Sequence, residues 1–262
     1  MEQISQRRFK SEHQAIVEPG FAAAVERSPL REYPFDHIYM ESVLDKESYA
    51  ALLAAMPVRR FYHQLSHPDA MRSDGSSTRL RLYLYPELLR RLPKEQRRVW
   101  MPVARALCSR ELEDAFKRKF RAALEHRFGK AAELIGLYPV PILLRDQPGY
   151  RIGIHSDVGS KAITVQFYLP RDGSQRHIGT IFHEGPCGEL AERTTQLGFM
   201  PATGYAFPVA RTKSWHSAAQ TSEQDGERVS MMVTYYTADS PVTWILRRLR
   251  RAALFVGLHP RG

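Results

Sequence analysis

Cysteine is scarce in this chain: Cys108 and Cys187 are the only two in 262 residues. Their number and spacing exclude a disulfide scaffold and a thiolate metal cage. No apolar run is long enough to span a bilayer. The opening MEQISQRRFKSEHQ has basic residues but no apolar stretch behind them, unlike a secretory leader. A reduced, cytoplasmic chain is the expectation. Acidic side chains are in deficit too, 28 against 38 basic ones, which leaves a formal net charge of +10. Such an excess suggests an anionic partner, whether nucleic acid, a membrane surface or an acidic small molecule, with a solvated basic face as the plain alternative.

What remains is an ordinary globular composition, 43% hydrophobic and 25% charged, in a chain long enough to bury a sizeable core. No linker or repeat divides it, so one domain over residues 1–262 is expected, with 1–136 mostly helical, 137–240 a β core and 241–262 a basic tail. In YPFDHIYMESVLDKESYAALLAAMP, Phe35, His37 and Tyr39 alternate as in a short strand. Asp45 is placed to cap a following helix that Pro57 stops. HPDAMRSDGSS reads as a long loop of the kind used for lids, followed by Arg79, Arg81 and Tyr83 on one face of a strand. A helix is predicted from the cap Ser109 through Leu112, Phe116, Phe120 and Ala123 to Gly129. Beyond Gly136 the texture changes to short segments rich in β-branched and aromatic residues, separated by Pro148-Gly149, Asp172-Gly173 and Asp225-Gly226. That spacing predicts a sandwich or jelly roll.

Within this half lies His155-Ser156-Asp157. Two residues apart on an extended segment, the imidazole and the carboxylate point the same way. His216, distant in sequence, is placed to complete a set of two histidines and one carboxylate, the facial arrangement of non-haem Fe(II) sites. His183-Glu184 and His177 could compete, but read as ordinary polar residues or substrate contacts. Arg228 and Ser230 share one face of a further strand. There a guanidinium can form a two-pronged pair with a carboxylate.

These motifs resemble the Fe(II)/2-oxoglutarate-dependent dioxygenases, in their prolyl-hydroxylase-like and phytanoyl-hydroxylase-like branches. RDQPGYRIGIHSD is similar to their entry into the metal motif, ITVQFYLP to the next core strand, and MPATGYAFPVARTKSWHSAAQ to the segment carrying the distal histidine. The resemblance covers Leu137 to Tyr236 well and residues 33–57 loosely. It implies a mainly β fold with α, a double-stranded β-helix (jelly-roll) core buttressed by N-terminal helices. It also implies Fe(II) held by His155, Asp157 and His216, 2-oxoglutarate paired with Arg228 and Ser230, and O2 as oxidant. With Asp157 present as a ligand, hydroxylation is expected over halogenation. Where the family often has a tyrosine, this chain has Asp146, so Tyr150 or Tyr168 is expected to supply the aromatic contact to 2-oxoglutarate.

A nucleic-acid demethylase would carry a second arginine six residues after the first, and Thr234 stands there instead. A small anionic metabolite, lipid or saccharide is the expected substrate, with Arg79, Arg81 and the loop near Arg72 at the entrance. A protein (prolyl-type) hydroxylase and a non-catalytic jelly-roll binding protein are the alternatives. In TWILRRLRRAALFVGLHPRG, Ile245, Leu249, Ala252 and Val256 form one helical stripe amid Arg247, Arg248, Arg250 and Arg251. That pattern suits peripheral contact with an inner membrane face, or docking of a terminal helix on the protein's own core or on a second subunit.

Overall fold

The fold comes from a computed structural model that describes residues 20–185 and 194–257. The chain before residue 20, Cys187 and the last five residues of the tail lie outside the described residues. Helices come first. α1 spans Phe21–Arg27 and α2 spans Lys46–Ala54, started as expected by Asp45, whose carboxylate accepts from the Ser48 amide at 2.8 Å. α3 spans Lys94–Leu107. The helix predicted from Ser109 to Gly129 is two: α4, Arg110–Lys119, and α5, Arg121–Phe128. The break falls where the Lys119 ammonium donates to the carbonyls of Glu26 and Ser28 at the end of α1. Phe120 at the break remains buried, and Leu124 beyond it reaches the same core.

The strands form two antiparallel sheets. The larger takes the order β1-β9-β6-β11-β4-β3-β2 and the smaller β5-β10-β7-β8. In chain order these are β1 Ile38–Met40, β2 His63–Gln64, β3 Arg79–Tyr83, β4 Leu137–Asp146, β5 Ile152–His155, β6 Lys161–Tyr168, β7 Thr180–His183, β8 Thr194–Gln196, β9 Gly204–Pro208, β10 Trp215–Ala218 and β11 Arg228–Thr237. The core is thus a jelly roll of two facing sheets, with helices on the outer face of the larger one.

Alternation along β11 divides the labour. Met231, Val233 and Tyr235 are fully buried in the core made with the N-terminal helices. Met232, Thr234 and Tyr236 point the other way, into the space between the sheets, as does Arg228. A second apolar cluster, built from Phe35, Tyr168, Phe182, Phe199, Tyr205 and Phe207, closes one end of that space.

Two glycines hold the walls in place. Gln147-Pro148-Gly149-Tyr150 is a tight turn closed by the Tyr150 amide on the Gln147 carbonyl at 3.0 Å, with Gly149 at φ +86°. Proline second and a left-handed third residue define type II geometry, which sends β4 back as β5. Gly179 precedes β7, and a Cβ there would lie 1.6 Å from the Leu197 carbonyl oxygen. Gly179→Ala is therefore expected to force the β7–β8 backbones apart and to cost roughly 2–3 kcal/mol of stability, read as a shift in the urea midpoint.

The tail forms α6, Pro241–Phe255. Ser240 caps it, its hydroxyl accepting from the Thr243 amide at 3.1 Å, and Pro241 occupies the first turn, where no amide proton is missed.

Candidate metal centre

β5 and β10 are neighbours, and their register sets His155 directly opposite His216. The two imidazole centroids are 4.2 Å apart. Asp157 follows β5 by two residues, and one ligand atom from each of the three lies within 4.8 Å of the others. The backbone fixes the ring faces. Nδ1 of His155 lies 3.0 Å from the Gly153 carbonyl, and Nδ1 of His216 lies 3.0 Å from the Ser214 carbonyl. A carbonyl oxygen only accepts, so each Nδ1 carries a proton, and the neutral ring then has its lone pair on Nε2. Donation of the second ring nitrogen to a backbone carbonyl is the usual way a metal-binding imidazole is held in its tautomer.

The charge states agree. Burial pushes His216 down to about 4, with Asp157 opposing and His155 adding to the fall, so the imidazole is neutral at physiological pH. Burial would raise the Asp157 carboxyl, but the Lys161 ammonium, His216 and Thr164 outweigh it and hold it at about 2. Lys161 sits 2.5 Å from Oδ1, and the Thr164 hydroxyl donates to Oδ2 at 2.5 Å. Two imidazoles held by their backbone carbonyls and an ionised, oriented carboxylate suit a divalent first-row metal.

A second cluster lies in the same cavity, where β3, β4 and β11 are adjacent. Their registers bring both Arg79 and Arg228 opposite Asp146. Arg228 Nη1 donates to Asp146 Oδ2 at 3.0 Å, and its Nε donates to the Ile178 carbonyl at 3.1 Å. Arg79 Nε lies 2.9 Å from Asp146 Oδ1, near enough for an ion pair although not aligned as a hydrogen bond. Burial alone would lower both guanidiniums, but Asp146 holds both above their ordinary value. Two cations and one anion leave a formal +1 with all three groups buried. Arg228 Nη2 is buried without a partner. A buried excess charge with an unused donor calls for an anion, and a carboxylate would bring the group to zero.

Other sequence expectations fall as follows. Ser230 is buried beside Arg228 on β11, its hydroxyl oxygen accepting from Gln166 Nε2 at 2.7 Å; Gln166 in turn accepts from Tyr205 at 2.7 Å. The Tyr168 ring lies 5.5 Å from the Arg228 guanidinium, but its hydroxyl accepts from the Thr180 amide at 3.1 Å. Tyr150 is buried under Arg79, with ring and guanidinium 4.8 Å apart, and it lines the cavity. Arg79 is a correction: it is not at the entrance but pinned at the buried floor by Asp146. Arg81, two residues on, stays on the cavity wall beside the Tyr83 ring. Arg72 is also not free at the entrance: it donates to Gln147 Oε1 and the Pro148 carbonyl, tying its loop to the β4–β5 turn. His183 lies outside the metal group and faces Ser217 at 2.7 Å, and His177 pairs with Asp225 at 2.7 Å.

The cavity has a volume of about 590 Å³. Thr164, which holds Asp157, faces Thr234, six residues along β11 from Arg228 and two before Tyr236. The arginine cluster therefore lies to one side of the metal ligands. To the other side lie Tyr83, Tyr138 and Tyr236, then Arg247, Arg250, Arg251 and Leu254 of α6. Asp146, Lys161 and Thr164 were missed by sequence reasoning. For Asp146 the only signal would have been the order of β3, β4 and β11, which no local spacing contains.

No family model matches this sequence, and no curated protein matches it. Among solved structures, the chain is similar to a prolyl-4-hydroxylase from Pseudomonas putida (13% identity, TM-score 0.49, 84% of this chain and 100% of that one). It is similar also to a 2OG-Fe(II) oxygenase family oxidoreductase from Burkholderia pseudomallei (16% identity, TM-score 0.47, 82% and 88%). A third is a dioxygenase for auxin oxidation in rice (12% identity, TM-score 0.49, 93% and 89%). These are likenesses of chain trace at low identity; the chemistry rests on the side chains described above.

Proposed function

We propose that this protein is an Fe(II)/2-oxoglutarate-dependent oxygenase that oxidises a C–H bond of a small anionic molecule with an apolar portion. The observation that carries this reading is the pairing of two sites in one cavity. His155, Asp157 and His216 offer three ligand atoms on one side of a metal position, and the buried Arg79–Asp146–Arg228 group lacks one negative charge. A 2-oxo dicarboxylic acid fits both, with its oxo acid end at the metal and its distal carboxylate at Arg228 Nη2. Bound iron would supply O2 activation coupled to decarboxylation of the 2-oxo acid. The protein's own groups do the rest. Ser214 and Gly153 orient the imidazoles, and Thr164 and Lys161 fix the carboxylate.

A cavity of about 590 Å³ has the size of a small-molecule site. Aromatic and aliphatic groups line its middle, and arginines line the α6 end. That lining supports an anionic substrate with an apolar body, as the net charge of +10 does.

The test is conversion of 2-oxoglutarate to succinate without substrate. Slow Fe(II)-dependent turnover is expected, falling at least about 10³-fold in His155→Ala, and accelerated by the right member of an anionic metabolite and lipid-extract panel. A folded protein that binds neither Fe(II) nor 2-oxoglutarate would leave the non-catalytic binding protein as the better reading.

A further inference from the structure

Helix α6 is mounted against its own sequence pattern. A helix docked through its stripe of aliphatic residues would bury them, yet only Leu254 is buried. The side that meets the body is the arginine side. Arg251 binds both oxygens of Glu87 and lies 4.2 Å from the Tyr85 ring, and Arg247 lies 4.4 Å from the Tyr236 ring and donates to the Thr237 carbonyl at 3.0 Å. At about 100° per residue, Val242, Ile245, Leu249 and Val256 fall on the opposite side. They are exposed, Leu249 by 60% and Val256 by 71%. Of thirteen exposed large apolar side chains among the described residues, seven lie between Val242 and Val256. Scattered exposure of that kind is ordinary, but a continuous stripe marks a contact surface.

The flanks say what the contact is. Arg248 and Arg250 fall on either side of the stripe, and Arg248 lies 3.9 Å from the exposed Trp244 ring. No acidic residue occurs from Pro241 to Phe255, so two copies meeting face to face would bring like charges together. No described helix is long and apolar enough to cross a membrane. We propose that α6 lies flat in the interface of an anionic lipid bilayer, with the Ile245–Leu249–Val256 stripe inserted and Arg248 among the headgroups. The opposite face of the same helix forms a wall of the cavity, so docking holds the cavity's α6 end at the lipid surface. This inference stands apart from the iron chemistry.

The test uses the full chain with phosphatidylcholine vesicles, with and without phosphatidylglycerol. Binding, read by co-sedimentation, is expected only with the anionic lipid, weakening with salt. The Ile245→Ser/Leu249→Ser double variant is expected to bind at least about tenfold more weakly, and Arg248→Gln roughly fivefold. Neither Ile245 nor Leu249 lines the cavity, so an unchanged melting curve for the double variant separates lost docking from lost folding. Absence of binding to anionic vesicles overturns the proposal, as does binding that the double variant retains. A concentration-dependent dimer abolished by that variant overturns it too, because a second copy would then occupy the stripe.

Discussion

Arg228→Ala is expected to raise the KM for 2-oxoglutarate by about 10²–10³-fold while leaving metal affinity little changed. The guanidinium is buried in the cavity lining, shares Asp146 with Arg79, and has one nitrogen without a hydrogen-bond partner. Removing one partner of a buried charged pair costs about 3–5 kcal/mol, and each 1.4 kcal/mol is about tenfold in affinity. The sign follows from the cluster's charge. With Arg228 gone, Arg79 and Asp146 balance, and an incoming carboxylate would make the buried group negative instead of neutral. Arg79→Ala is expected to act in the same direction for the same reason, raising the KM for 2-oxoglutarate and not that of the primary substrate. Arg228→Lys keeps the charge but loses the planar fork, so a smaller rise, about tenfold, is expected. Initial rates at varied 2-oxoglutarate, with melting curves to show that the variants fold, decide the matter. An unchanged KM in folded Arg228→Ala would remove this cluster from the co-substrate site.

The features legible in the sequence are those whose cause is local. His155 and Asp157 are neighbours on one side of an extended segment by strand periodicity alone, and the Pro148-Gly149 turn that delivers them is written in two residues. Asp45 and Ser109 announce helix starts because their side chains cap amides three residues ahead. What was not legible depends on strand order or on partners far along the chain. Asp146 looked like the loss of a family tyrosine. It becomes the hinge of a charge cluster only because β4 lies between β3 and β11. Arg79 moved from the expected entrance to the floor for the same reason. The helix from Ser109 breaks at Phe120, where Lys119 reaches α1, a contact across about 90 residues that no helical periodicity encodes. The tail shows the sharpest difference. Its pattern allows either membrane contact or docking by the aliphatic stripe; the helix docks through its arginines instead, because Glu87, Tyr85 and Tyr236 offer them an ion pair and aromatic faces.

His216→Ala is expected to abolish turnover and to weaken metal binding by about 10³-fold or more, and the reasons are independent of any co-substrate. Second-sphere partners of a metal-bound histidine are each worth about 10–100-fold in affinity, and a direct ligand exceeds that. His216 is also held more tightly than His155. It is buried on β10, pinned through Nδ1 to the Ser214 carbonyl, and packed against Phe207 with ring centroids 5.0 Å apart. Alanine there leaves His155 and Asp157 in place but one ligand short of a facial set. The Asp157–Lys161 pair is intact in the variant, so folding is expected to persist. The measurement is thermal melting with and without Co(II) under anaerobic conditions, with Co(II) absorption as the direct readout of ligation. Wild-type protein is expected to gain stability in proportion to the logarithm of metal concentration above its Kd, and to lose the gain with a chelator. His216→Ala is expected to melt at the same temperature whether or not metal is present. A variant that still gains full metal-dependent stability would show that the ion sits elsewhere, and the pairing of the two clusters in one cavity would then lose its chemical meaning.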